Sequence, residues 1–218
     1  MDKTLLFLIN RAWTNPALDA LMATVTNFSV FLPFIVAGAA LLLWRGGFRE
    51  RSFVVATACI LASTDGVFTQ FMKKWAHRPR PHEALAGIRE VRLQKANPAA
   101  LAVFEPVHVE FSTAPDPSPR GRSFPSGHAM NNAVVATTAV RFFRRWGWWY
   151  SPAAALVAYS RVYCGSHWPS DVLTSAVLGV VFACVLLHGF ALIYQAAAPR
   201  FFPRFHSNHP RLIPASCG

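Results

Sequence analysis

Five long apolar runs decide what this chain can fold into. A helix crossing the roughly 30 Å hydrocarbon core of a bilayer needs about 20 mostly apolar residues. Runs near that length lie at 28–44, 53–72, 127–143, 150–163 and 169–194, the fourth being short. They predict an all-α, polytopic transmembrane bundle of about five spans. Ahead of them, Leu5, Leu6, Ile9, Ala12 and Trp13 recur near helical spacing. That predicts an amphipathic helix lying on the membrane surface, or a partial sixth span. The stretch 73–122 reads as a long water-facing loop and 195–218 as a tail, with the whole chain, 1–218, forming one membrane-embedded domain.

Composition narrows the partners. Charged residues make up 14% of the chain and hydrophobic ones 53%, against roughly 25% charged in an ordinary soluble domain. Disorder is excluded. The formal charge of +11 suits anionic lipid or a phosphorylated substrate, and the hydrophobicity argues against nucleic acid. The four cysteines, 59, 164, 184 and 217, form no CxxC pair and point to neither a zinc site nor a disulfide framework. Met1-Asp2-Lys3-Thr4 and the short run after it do not read as a removable signal peptide. Arginines 45, 49, 51, 141, 144, 145, 200, 204 and 211 fall on one side of a five-span chain, which is then cytoplasmic. An impermeant thiol reagent should miss Cys217 and label a cysteine placed at Ser118.

Three clusters meet on the opposite face: Lys73 with Arg80-Pro81, Pro125-Ser126-Gly127-His128, and Ser160-Arg161 with His167 and Asp171. Phosphoryl transfer is catalysed mainly by positioning and charge stabilisation, and Lys73, Arg80 and Arg161 supply the charge. Arginine grips phosphate with a planar fork and lysine as a point charge. Gly127 lets the backbone approach an anion, Ser126 adds a hydroxyl, and the amides opening the third span should point at the phosphate. His167 and Asp171, four apart, would share a helix face, so that the carboxylate orients the imidazole and leaves its other nitrogen as nucleophile. His128 remains as general acid and then base.

Other polar residues read as structural. Lys74, Arg89, Arg92 and Lys95 suit lipid headgroups. Asp65, inside the second span, suits pairing with Asn131 or Asn132, and Cys164 suits packing.

Lys73-x6-Arg80-Pro81, Pro125-Ser126-Gly127-His128 and Ser160-Arg161-x5-His167-x3-Asp171 resemble the three signatures of the type 2 phosphatidic acid phosphatase family. The resemblance implies a helical bundle, a phosphohistidine at His167, His128 as acid, and no required metal or cofactor. It implies lipid phosphates or diphosphates as substrates. Within that class, undecaprenyl diphosphate is the expected substrate, with Lys74, Arg78 and Arg122 available to a second phosphate; lipid A, phosphatidylglycerol phosphate and lipid-to-lipid phosphotransfer are the alternatives. Two positions depart from the common pattern: His77 stands where glycine is frequent, and Thr174-Ser175 where alanine-glycine is frequent.

Overall fold

Apolar side chains placed at every turn drive the chain into helices that bury one face and leave the rest to the bilayer. The computed structural model describes residues 1–113 and 122–213; Ser118 and Cys217 lie outside them. In chain order the helices are α1 (Asp2–Phe7), α2 (Pro16–Thr26), α3 (Phe28–Arg45), α4 (Phe48–Ser63), α5 (Gln70–Ala76), α6 (Pro81–Ala84), α7 (Gly127–Phe143), α8 (Ser151–Tyr163), α9 (Pro169–Phe201) and α10 (Pro203–Asn208). A π-helical segment, Thr64–Thr69, joins α4 to α5, and a second, Leu8–Ala12, continues α1.

Among the described residues, three segments are long and apolar enough to cross a bilayer: Phe28–Arg45, Phe48–Ala84 and Pro169–Phe201. By the same ruler α7 and α8 fall short of the five spans read from sequence. Their 17 and 13 residues rise about 26 Å and 20 Å. α7 is an interior helix: it packs against α4, α8 and α9, and a side chain at Gly179 would strike the Met130 carbonyl at 2.5 Å, so glycine permits the close α7–α9 approach. On the far half of the bundle, Ile60, Val134, Phe142, Ala183 and Leu187 form one buried cluster.

A second apolar cluster lies on the near half. Leu6 and Ile9 are buried there with Met22, Ile88, Val91, Tyr163 and Trp168, while Leu5, Leu8 and Trp13 stay exposed, so the N-terminal helix packs one face into the domain and leaves the other open. The 73–122 stretch is not a plain loop. It carries an antiparallel hairpin, β1 (Arg89–Leu93) with β2 (Val107–Phe111), paired from Arg89↔Phe111 to Leu93↔Val107. The bundle is therefore mostly helical rather than all helical.

The hairpin is tied down by polar bonds. Asn10 Nδ2 donates to the carbonyls of Arg89 (2.8 Å) and Tyr163 (2.7 Å), and Arg89 N–H donates to Asn10 Oδ1 at 2.9 Å. The Arg89 guanidinium pairs with Asp19 at 2.6 Å, and Tyr163 Oη–H donates to the same carboxylate at 2.7 Å. Arg89 is thus a buried, paired cation and not a headgroup ligand. Exposed Arg92 pairs with Glu90 and Glu110.

Candidate active site

The site forms where α8 gives way to α9. Gly165, at φ +69°, turns the chain tightly against β1; a side chain there would collide with the Arg89 carbonyl. Ser166 and His167 then donate their N–H groups back to the Arg161 carbonyl at 3.1 and 3.2 Å. Pro169 starts the next helix, because proline tolerates a first-turn position where its missing N–H is not needed.

This start corrects the expected geometry of His167 and Asp171. His167 precedes the helix, so the four-residue spacing does not stack the two side chains. Instead His167 Nδ1 lies 2.6 Å from the Ser123 carbonyl. A carbonyl only accepts, so Nδ1 carries the proton and Nε2 keeps its lone pair. Asp171, fully buried, accepts from Ser123 Oγ, from Trp168 N–H at 3.4 Å and from Arg78. The carboxylate thus reaches the imidazole through Ser123, a residue the sequence reading missed.

Arg78 is likewise not free for a second phosphate. Its guanidinium bonds Asp171, Ser170 and Asp2, and Asp2 accepts from Ser170 N–H at 3.0 Å and Ser170 Oγ at 2.6 Å. The start of α1 is therefore clamped behind the Asp171 carboxylate. Spacing alone gave no sign of this, because Asp2 and Asp171 are far apart in the chain.

The remaining predicted residues converge by charge. The His167 imidazole feels Arg161, Arg80 and His128; His128 feels Arg161 and Lys73; Lys73 feels Asp65, Arg80, Arg122 and Arg161. Among the described residues Ser126 Oγ and Arg161 Nε are buried without a hydrogen-bond partner, as suits groups that await an anion. The Ser126 N–H, expected to face the phosphate, donates instead to Ser175 Oγ at 2.8 Å, and Ser175 in turn donates to the Asp171 carbonyl at 2.6 Å. Serine at 175 thus has a defined structural task. The first amides of α7 beyond it, including Gly127 and His128, lack intrahelical acceptors by construction.

Thr26, at the end of α2, was also missed. Its hydroxyl accepts from Arg161 Nη1, and its backbone bonds His128. Asp65 pairs with neither asparagine. Asn132 holds Tyr150 Oη and the His128 carbonyl, and Asp65 Oδ1 lies 3.3 Å from where a side chain on Gly127 would begin. His77 is exposed at the left-handed C-cap of α5, φ 44°, which explains the frequent glycine there. Lys74 and Lys95 are exposed, and Cys164 is buried in the near cluster.

Burial first, then the Arg161 and Arg80 guanidiniums, holds the His167 pKa well below its ordinary 6.5. The native state therefore binds fewer protons here than the unfolded state. Stability contributed by neutral His167 is complete above about pH 6.5 and is lost as pH falls toward the depressed native value. Unfolding of the wild type in detergent should lose up to about 1.4 kcal/mol more per pH unit below 6.5 than His167→Gln does. Equal pH slopes for the two proteins would show that His167 is not held neutral by its surroundings.

A model of the PAP2 superfamily matches residues 51–195. This chain belongs to the PAP2 superfamily. A stretch of 65 residues is 43% identical to an undecaprenyl-diphosphatase of Sulfolobus acidocaldarius, covering 29% of this chain and 32% of that one. The chain therefore spans about a third of that relative's length. Phosphatidylglycerophosphatase B of Bacillus subtilis is 27% identical over 80% of this chain and 74% of its own. The crystal structure of Aquifex aeolicus LpxE shares the fold, with a TM-score of 0.58 and 22% identity over 86% of this chain and 94% of that one. The PAP2 match begins at residue 51, so Asp2, Asn10, Asp19 and Thr26 bear on the site from outside it.

Proposed function

We propose that this PAP2 protein is an integral membrane lipid phosphatase that works through a covalent phosphohistidine on His167. The observation that carries the reading is the Ser123 carbonyl on His167 Nδ1, which leaves Nε2 unprotonated among Arg161, Arg80 and His128. Nε2 attacks phosphorus; a P–N bond forms as the bond from phosphorus to the leaving oxygen breaks, and His128 gives that oxygen a proton. His128 then takes a proton from water, which attacks the phosphohistidine and releases inorganic phosphate and free His167. Lys73, Arg80, Arg161, Ser126 and the Gly127 end of α7 hold the phosphoryl oxygens. Asp171 positions the nucleophile through Ser123.

The reaction needs no metal in this scheme. Purified protein in detergent should keep its rate in excess chelator, and a loss restored by magnesium would contradict the scheme.

The substrate we favour is undecaprenyl diphosphate, cleaved to the monophosphate. The name of the Sulfolobus relative supports it, and so does Arg122, exposed and electrostatically coupled to Lys73. With Arg78 engaged elsewhere, Arg122 and Lys74 are the cations left for a second phosphate. We read α7 and α8 as crossing with the other three helices. On that reading we assign the site to the periplasmic side of a bacterial inner membrane, with the arginine-rich turns at 45–51 and 141–145 in the cytoplasm. A phosphate-release panel of undecaprenyl diphosphate, phosphatidylglycerol phosphate, phosphatidic acid and lipid A tests the assignment. Lipid A turned over at least tenfold more efficiently than the prenyl diphosphate would overturn the substrate and leave the mechanism standing.

A further inference from the structure

Between the two strands of the hairpin the chain carries no charge from Ala96 to Phe104, and the last six of these residues form a 3₁₀ turn, Ala99–Phe104. Ala102 faces inward and is 3% exposed, whereas Leu101, Val103 and Phe104 are 47%, 38% and 82% exposed. A 3₁₀ helix has three residues per turn, so Leu101 and Phe104 lie on one edge. An apolar tip of this kind is costly to leave in water.

What adjoins it is α3. The turn packs against that helix, which is long and apolar enough to cross a bilayer and exposes Phe28, Phe31, Leu32, Phe34 and Ile35. The helix begins two residues after Thr26, the residue that touches Arg161 and His128, so the turn and the site share one face of the protein. Ala102 of the turn and Val30 of α3 are buried in one cluster, so the exposed apolar residues of the two elements lie beside each other.

The turn's own backbone and ends fit such surroundings. Leu101 N–H donates to the Pro98 carbonyl at 3.0 Å and Glu105 N–H to the Ala102 carbonyl at 3.2 Å, so these two N–H groups are paired within the turn, as hydrocarbon favours. At its neck, Gln94 N–H closes onto the Pro106 carbonyl at 3.4 Å, and exposed Lys95 and Glu105 flank the apolar tip. Charge at the neck and hydrocarbon at the tip is the polarity of an interfacial element.

We propose that the Ala99–Phe104 turn dips into the leaflet on the catalytic side, with Leu101, Val103 and Phe104 among the acyl chains. This rests on exposure and packing and is independent of the phosphatase reading. The test uses the full chain with Cys59, Cys184 and Cys217 changed to serine, reconstituted in phosphatidylethanolamine–phosphatidylglycerol vesicles. A nitroxide is attached at Phe104→Cys or, as a reference, at Arg92→Cys on the exposed hairpin, and its collisions with oxygen and with a water-soluble nickel chelate are compared. The oxygen-to-nickel ratio at 104 should exceed that at 92 severalfold, and a label at Leu101→Cys, on the same edge, should repeat the result if Phe104→Cys perturbs the turn. Equal ratios at 104, 101 and 92 would overturn the proposal by placing the turn in water. Exclusion of both reagents at 104 and 101 would overturn it by showing that a second protein surface, such as another copy of this chain, covers the turn.

Discussion

Replacing His167 with alanine is expected to lower phosphate release by a factor on the order of 10⁶, the scale on which an enzyme loses rate when its covalent nucleophile is removed. The effect should fall on kcat, because Arg161, Arg80, Lys73 and Ser126 remain to bind the phosphate. His167 is nearly buried, and its imidazole is held at one end by Ser123, so alanine leaves a small cavity and one unpaired carbonyl. Circular dichroism and monodisperse elution of the variant check that the fold persists. A rate within tenfold of wild type would remove His167 from the mechanism.

The second large effect concerns how Asp171 acts. Asp171→Asn keeps the size of the side chain but loses the charge facing Arg78 and one strong acceptor of Ser123 Oγ. Losing a preorganised electrostatic contact of this kind costs about 10²-fold to 10³-fold in kcat. Ser123→Ala separates the two routes by which the carboxylate can reach the nucleophile. It preserves the carbonyl that accepts from His167 and deletes the hydroxyl that links it to Asp171. One hydrogen bond contributes about 0.5–1.5 kcal/mol, so kcat should fall by up to about tenfold. A neutral Ser123→Ala alongside a crippled Asp171→Asn would mean that the carboxylate touches His167 directly during turnover.

How far the sequence revealed this arrangement depends on the range of the interactions. The apolar runs at 28–44 and 169–194 showed where long helices lie, because a helix that faces lipid must be apolar over its whole length. Lys73, Arg80, His128, Arg161 and His167 could be read as one electrostatic cluster, because short motifs placed them at neighbouring helix ends. The partner of His167 could not be read. Four-residue spacing implies a shared face only if both residues are helical, and Pro169 starts the helix after His167.

The contributions of Asp2, Asn10, Asp19 and Thr26 were hidden for another reason. Each acts through a contact with a distant part of the chain, Asp2 with Ser170 and Arg78, Asn10 and Asp19 with Arg89 and Tyr163, Thr26 with Arg161. No local periodicity announces such pairs. The hairpin was hidden by its proline-rich setting, although Val91 and Leu93 on β1, buried on one face while Arg92 is exposed, show the alternation of a half-buried strand.

The central claim is the covalent intermediate, and trapping it tests that claim most directly. The enzyme is mixed with a substoichiometric lipid phosphate carrying ³²P in the scissile group, quenched in alkali within the first turnover, and digested for mass spectrometry. Phosphohistidine survives alkali and is lost in acid. The account predicts an acid-labile phosphoryl group on His167 Nε2 that is absent from His167→Ala and accumulates when His128 is replaced, because water activation then fails. Phosphate released in a single turnover with no label on the protein, or label on His128 instead, would contradict it.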